Sequence, residues 1–211
     1  MKLIIALVIS LFATTIMANT TPYILLHDGL IDARAQTKIN QIGTEVKEKL
    51  QTKIFLHIVE NNGINMDLSR DERIKKMREY DNQVLSVLTK EERDNFALLT
   101  LAIDQKYANI IMSDNLKDII DRADILSGYV IPLLASKDKN TLFAKTSAAC
   151  LNGYAQIGDS LADNKGIELT SSIGSAGKTA GTIWKMFMYT MVLVGIIAYA
   201  MIVMRQKKYK T

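Results

Sequence analysis

Three acidic residues that directly follow predicted β-strands are the best candidates for chemistry in this chain. They are Asp28, Glu60 and Asp104. Ligands bind outside the carboxyl ends of the strands in open α/β sheets, so parallel strands would bring these carboxylates to one edge. Carboxylate and carbonyl oxygens without cysteine suit a hard cation such as Ca²⁺ or Mg²⁺. The alternative interpretation is that acidic residues are simply common in the turns that follow strands.

The remaining reactive side chains form no complete catalytic motif. His27 and Asp28 are adjacent in an extended segment, so their side chains point to opposite faces. A packed, hydrogen-bonded histidine is therefore expected at His27 and at His57, with a general base as the alternative for His27. Cys150, the single cysteine, lies in an apolar helical pattern that is typical of a buried thiol. The stretch 174–179 ends like a phosphate-binding loop, but it lacks the first glycine and follows no strand.

The spacing of apolar residues predicts the element order β-α-β-α-β-β-α-α. The predicted strands are 23–27, 53–59, 95–103 and 107–112, and the last two form a hairpin. The predicted helices are an apolar stripe from Ala35 to Leu50, a segment from Ser69 to Leu88, a short helix from Leu116 to Arg122 and a long helix over 141–161. Ser69 and Glu72 have the spacing of a capping box. Ile74 and Phe143 are among the residues expected to face inward.

This order of elements predicts the fold class and the extent of the domain. Strands separated by amphipathic helices favour parallel pairing with helices on both faces, and the hairpin adds an antiparallel edge. The fold is therefore expected to be α/β, a three-layer α/β/α sandwich with a small, mostly parallel sheet of about four strands. Residues 19–164 form this domain. Residues 165–183 contain glycine and serine without periodicity, and we expect a flexible stalk there.

The two ends of the chain predict export and membrane anchoring. Residues 1–18 combine one lysine, an apolar stretch and a small final residue, as a signal peptide does, with an uncleaved anchor helix as the alternative. Met186–Met204 contains 19 residues without a charge, close to the roughly 20 that cross a bilayer as a helix. We therefore expect a transmembrane helix over 184–204 that contacts the lipid bilayer.

The charge pattern predicts the orientation of this helix. Four of the seven residues in the tail 205–211 are basic, which favours a cytoplasmic tail. The protein is thus expected to be a single-pass protein of the inner membrane with its main domain on the periplasmic or extracytoplasmic side. The net charge is only +4 and no basic patch is interleaved with aromatics, so we expect no nucleic-acid partner.

The chain resembles the TPM domain family, small exported α/β/α domains that often carry a C-terminal membrane anchor. The resemblance covers residues 23–161. It is carried by Asp28 with the preceding strand and the following helix, by the strand-turn-strand around 104–106, by Asp121 and by Pro132 before the last helix. The chain departs from the family at 113–115, where Ser-Asp-Asn replaces the glycines that follow the hairpin in many members.

The resemblance implies two alternative functions. Some family members are acid phosphatases, some bind divalent cations at the acidic edge of the sheet, and others assemble or regulate membrane complexes. The family implies Asp28, Asp104 and Asp121 as cation ligands, and the strand-end argument adds Glu60. We expect a cation-binding module that supports or regulates a membrane protein complex. The alternative is a metal-dependent phosphatase of low specificity that acts in the periplasm.

Overall fold

Four strands pair into one sheet in the order in which they occur along the chain. The computed structural model describes residues 22–173 and 190–191. β1 (Ile24–Leu26), β2 (Lys53–Val59) and β3 (Phe96–Ala102) are parallel, and β4 (Tyr107–Met112) pairs with β3 in the antiparallel direction. The predicted α/β fold with a small, mostly parallel sheet of four strands is therefore confirmed.

Helices connect and cover these strands. Their bounds within residues 22–173 are α1 (Ala33–Leu50), α2 (Arg70–Ser86), α3 (Arg122–Ile125), α4 (Ile131–Leu134) and α5 (Leu142–Asn164). A 3₁₀ turn lies at Asp114–Leu116, and a π-helical segment, Leu126–Val130, leads into α4. The predicted capping box of α2 is present, because Ser69 accepts from the backbone of Glu72 and the Glu72 carboxylate accepts from the backbone of Ser69.

The sheet lies between two layers of helix. α1 and α5 pack against each other and cover one face, where the Tyr154 hydroxyl donates to the backbone oxygen of Ile54 at 2.7 Å. α2 covers the opposite face, where Val84 packs into an apolar cluster with Phe55 and Leu98. β2 is buried after its first residue and β3 is buried throughout, as expected for strands covered on both faces.

Several predicted details are wrong. The segment from Leu116 to Arg122 is not a helix, because the Asp121 carboxylate accepts from the Asp124 backbone N–H and starts α3 at Arg122 instead. Ile74 and Phe143 were expected to face inward, but their exposed fractions are 41 % and 44 %. Both belong to apolar stripes, but each lies near the first turns of its helix, where the buried part of the stripe has not yet begun.

The chain after α5 is fastened to α1 by a set of contacts that we call the Glu45 clasp. The Glu45 carboxylate accepts from the backbone N–H groups of Thr170 and Ser171 at 2.9 and 2.7 Å, accepts from both of their hydroxyls, and pairs with Lys49 at 2.7 Å. Partial burial would raise the pKa of Glu45, but Lys49 and the Ser171 and Thr170 donors hold it well below its usual range. Leu169 is buried beside the clasp, so packed structure continues past residue 164.

The predicted segments at the two ends fall largely outside the described residues. The signal peptide, residues 1–18, lies outside them, and so does the anchor, 184–204, apart from residues 190 and 191, which are helical. In the described part of the chain, we find no helix with the length and apolarity that a membrane crossing requires.

Candidate functional site

The structure brings three of the predicted site residues to one edge of the sheet. The Asp28 carboxylate accepts from the backbone N–H of Glu60 at 3.1 Å. The backbone N–H of Asp104 donates to the carbonyl oxygen of Glu60 at 2.9 Å. The ends of β1, β2 and β3 are thus adjacent, as parallel pairing requires, and Glu60 links the other two residues through its backbone.

Amide side chains complete this edge of the sheet, which we call the carboxyl edge because the strands β1, β2 and β3 end there. The Asp104 carboxylate accepts from the Asn61 amide at 2.8 Å, and the Asn61 oxygen accepts from the Gln105 amide at 3.0 Å. Gln105 is buried and its oxygen accepts from the backbone N–H of Asn62 at 3.2 Å. Asp28 and Asp104 therefore each commit one carboxylate oxygen to holding neighbouring loops together.

Asp121 lies elsewhere, at the N-terminus of α3, where its carboxylate caps the helix. Throughout residues 22–173, no three His, Cys, Asp or Glu side chains are grouped closely enough to hold a metal ion. The four predicted ligands therefore do not form a ready carboxylate cage. A cation at the carboxyl edge would need amide, carbonyl and water oxygens as well, which Ca²⁺ in particular accepts.

A second polar cluster lies beneath α2 and was not predicted. Asp81 accepts from the Tyr107 hydroxyl at 2.5 Å and from the Asn109 amide at 2.8 Å, and it is only 8 % exposed. Burial raises the pKa of Asp81, while these two donors oppose the shift. The sequence signal was present, because Asp81 occupies the same helical stripe as the buried residues Met77 and Val84.

His57 lies on the same face of the sheet as the cluster around Asp81. It lies 8 % exposed, opposite Thr100, and its ring meets that of Tyr80 edge-on with 5.8 Å between centroids. Burial lowers the pKa of His57 to about 4, although the charge of Asp28 opposes the shift. The histidine is packed as expected, but its Nδ1 has no hydrogen-bond partner in the described part of the chain, and neither has the Thr100 hydroxyl.

The single cysteine is buried, as its sequence pattern indicates. Cys150 is fully enclosed in α5. Burial raises the pKa of its thiol to about 12, which keeps the thiol in its unreactive protonated form at neutral pH.

A groove runs along the outside of the cluster around Asp81. We call it the α2–β4 groove, because α2 and β4 form its walls, and its volume is about 590 Å³. Asp81 and Asn109 line it, together with the basic side chains of Arg78, Lys117 and Arg122. Arg122 also donates to the Asn109 oxygen, at 3.4 Å.

We expect Tyr107→Phe to lower the free energy of unfolding by about 1.5 kcal/mol, because the buried Asp81 carboxylate would lose one of its two donors. Urea unfolding of the full-length chain measures this. Tyr129→Phe is the matched control, since the Tyr129 hydroxyl makes no hydrogen bond within residues 22–173 and should change stability little. Equal effects of the two changes would contradict a stabilising role for the Tyr107 hydroxyl.

The chain is similar to solved structures at low sequence identity. No protein-family model matches the chain, and a comparison with curated proteins found no match. Solved structures that match include the N-terminal domain of a protein from P. gingivalis, with 15 % identity, a TM-score of 0.49 and coverage of 70 % of this chain and 86 % of that one. They also include the BA42 protein from Bizionia argentinensis, with 16 % identity, a TM-score of 0.39 and coverage of 68 % and 93 %. These similarities are too weak to carry an argument about function.

Proposed function

We propose that the protein is an exported, membrane-anchored module of the TPM type that supports or regulates a membrane protein complex. In this proposal, its carboxyl edge binds a divalent cation, Ca²⁺ or Mg²⁺. The observation that carries the proposal is the meeting of Asp28, Glu60 and Asp104 at adjacent strand ends, joined through the backbone of Glu60. The anchor over 184–204 and the site of action outside the cytoplasm belong to the same proposal.

The carboxyl edge is suited to a role in which a cation orders a surface. Its loops already hold one another through the bonds from Asn61 to Asp104 and from Gln105 to Asn61. A cation that shared the second oxygens of Asp28 and Asp104 would tie the loops after β1 and β3 more firmly. The edge would then present a defined face to a partner in or near the membrane.

A metal-dependent phosphatase is the second candidate. The α2–β4 groove favours it, because Arg78 and Arg122 lie there as side chains that can bind phosphate. Phosphoryl transfer depends mainly on positioning and charge neutralisation, so few protein groups are needed. Hydrolysis of phenyl phosphate by the full-length chain, only in the presence of a divalent cation, would favour this candidate over the module.

We expect Ca²⁺ or Mg²⁺ at ten times its Kd to stabilise the full-length chain by about 1.4 kcal/mol, because binding to the folded state shifts the unfolding equilibrium. The melting temperature in detergent should rise by roughly 3–6 °C relative to chelator. The double variant Asp28→Asn, Asp104→Asn should abolish the rise.

The control for this experiment changes the same number of charges away from the edge. Asp94→Asn with Asp118→Asn alters two exposed carboxylates that do not follow β1, β2 or β3. This variant should keep the cation-dependent rise. The proposed cation site is refuted if no cation raises the melting temperature, or if both double variants respond like the wild type.

A further inference from the structure

The α2–β4 groove collects positive charge from three separate segments of the chain. Arg78 comes from α2, Lys117 follows the 3₁₀ turn, and Arg122 is the first residue of α3. Basic side chains from separate segments that share one groove of about 590 Å³ differ from a charged helix face, which would come from a single element. The fold itself therefore assembles this basic site.

These basic side chains are available to a ligand. Arg78 is exposed, and its guanidinium has no ion pair or hydrogen bond with any residue in the described ranges. Within the same ranges, the Arg122 guanidinium makes a single hydrogen bond, the 3.4 Å contact to the Asn109 oxygen. Lys117 pairs with Asp114, but the two side chains are 63 % and 94 % exposed, so this pair is weak and easily exchanged for another anion.

One carboxylate lines the groove and offsets only part of its positive charge, because three basic side chains lie there. Asp81 lies at the base of the groove, where one of its carboxylate oxygens accepts from the Tyr107 hydroxyl and the Asn109 amide. The walls also include apolar side chains, of which Leu85 and Ile111 are examples. The groove thus offers cationic donors at its rim and apolar surface along its wall.

We propose that the α2–β4 groove binds a phosphate group carried by an organic body. Guanidinium groups match the geometry of phosphate oxygens and can bind them in pairs, which places Arg78 and Arg122 as the main ligands. Lys117 adds a movable charge, and the apolar wall receives the organic part. The phosphate can belong to a soluble phosphomonoester or to a phospholipid headgroup, and both present the same chemistry to the groove.

The proposal is tested by phosphorus NMR titration of the full-length chain in uncharged detergent. One arm uses phenyl phosphate as the soluble ester, and the other uses dioctanoyl phosphatidic acid as the headgroup. A chelator is present throughout, so the outcome does not depend on a cation at the carboxyl edge. We expect saturable binding, and Arg78→Gln or Arg122→Gln should each weaken it about tenfold, the loss expected for one charged hydrogen bond.

Lys76→Gln is the matched control, because Lys76 is also an exposed base of α2 but lies beside Tyr80 in a different surface depression. This variant should bind like the wild type. Binding in both arms identifies a soluble ester as sufficient, whereas binding of phosphatidic acid alone identifies the headgroup. The proposal is overturned if neither compound binds saturably, or if folded Arg78→Gln and Arg122→Gln variants bind as tightly as the wild type.

Discussion

Acidification from pH 6.5 to pH 4 is expected to remove about 3 kcal/mol of stability through His57 alone. Burial lowers the pKa of this side chain from 6.5 to about 4. Between these values the unfolded chain binds a proton that the folded chain does not, so the stability contribution is complete above pH 6.5 and is lost as the pH falls. The cause is geometric, since His57 lies between the sheet and α2 and is 8 % exposed.

Other titratable groups add to or oppose this slope. The Asp28 charge favours protonated His57 and limits the shift, while Tyr80 is uncharged in this range. Asp81 acts in the opposite direction. Because its pKa is raised, the folded state binds more protons than the unfolded state above pH 3.8, so this contribution to stability increases as the pH falls. The lowered pKa of Glu45 contributes stability at neutral pH, and this contribution is lost only at more acidic pH, below about 4.5. The measured slope is therefore a difference between opposing contributions.

His57→Gln isolates the histidine contribution. Urea unfolding at several pH values should give a distinctly flatter dependence between pH 4 and 6.5 for this variant than for the wild type, whatever its absolute stability. If His57→Gln and the wild type show parallel pH profiles, His57 does not become protonated on unfolding as we infer.

Replacement of Gly43 with alanine is expected to lower the free energy of unfolding by about 2 kcal/mol. A Cβ at this position would lie 2.5 Å from the Tyr154 hydroxyl oxygen and 2.6 Å from Cγ of Tyr23. Neither ring can retreat easily, because both are buried and Tyr154 is bonded to the Ile54 carbonyl oxygen. Contacts this short place the cost at the upper end of the about 1–3 kcal/mol typical of overpacking, and subtracting the helix propensity gain of about 1 kcal/mol leaves a net loss of about 2 kcal/mol.

Gly128→Ala is the matched control for this substitution. Its added methyl group would meet nothing within 4 Å, so only the gain in chain rigidity remains and the stability should stay the same or rise slightly. Chemical denaturation of the full-length chain, followed by circular dichroism, compares the two variants. A Gly43→Ala variant as stable as the wild type would show that the contact between α1 and α5 at Tyr154 can widen without cost.

Local patterns predicted most elements because the relevant forces are local or periodic. The apolar run of β2 and the stripe of α1 from Ala35 to Leu50 lie where expected, since each repeats the period of its element. The region after β4 was misassigned, because the apolar residues Leu116 and Ile120 have helical spacing although the chain turns there. There, the Asp121 side chain caps the backbone N–H of Asp124, and this local contact outweighs the periodicity of the apolar residues.

The site was less predictable than the fold. Strand ends could be placed at a common edge, so the adjacency of Asp28, Glu60 and Asp104 followed from parallel pairing. The cluster around Asp81 could not be placed in the same way, because its contacts to Tyr107 and Asn109 depend on how α2 lies over β4. From its sequence alone, a charged helix such as α2 is predicted to be exposed to solvent on all but its apolar stripe.

The Glu45 clasp also affects the length of the proposed tether. Thr170 and Ser171 are held on α1, so, if residues 184–204 form the anchor that we propose, the tether is counted from residue 172 and not from residue 165. Fully extended, the segment 172–183 spans at most about 40 Å, compared with about 65 Å for 165–183. In the anchored protein that we propose, loss of the clasp would lengthen the tether and let the domain sample a larger volume above the bilayer, so Glu45 would limit the length of the tether.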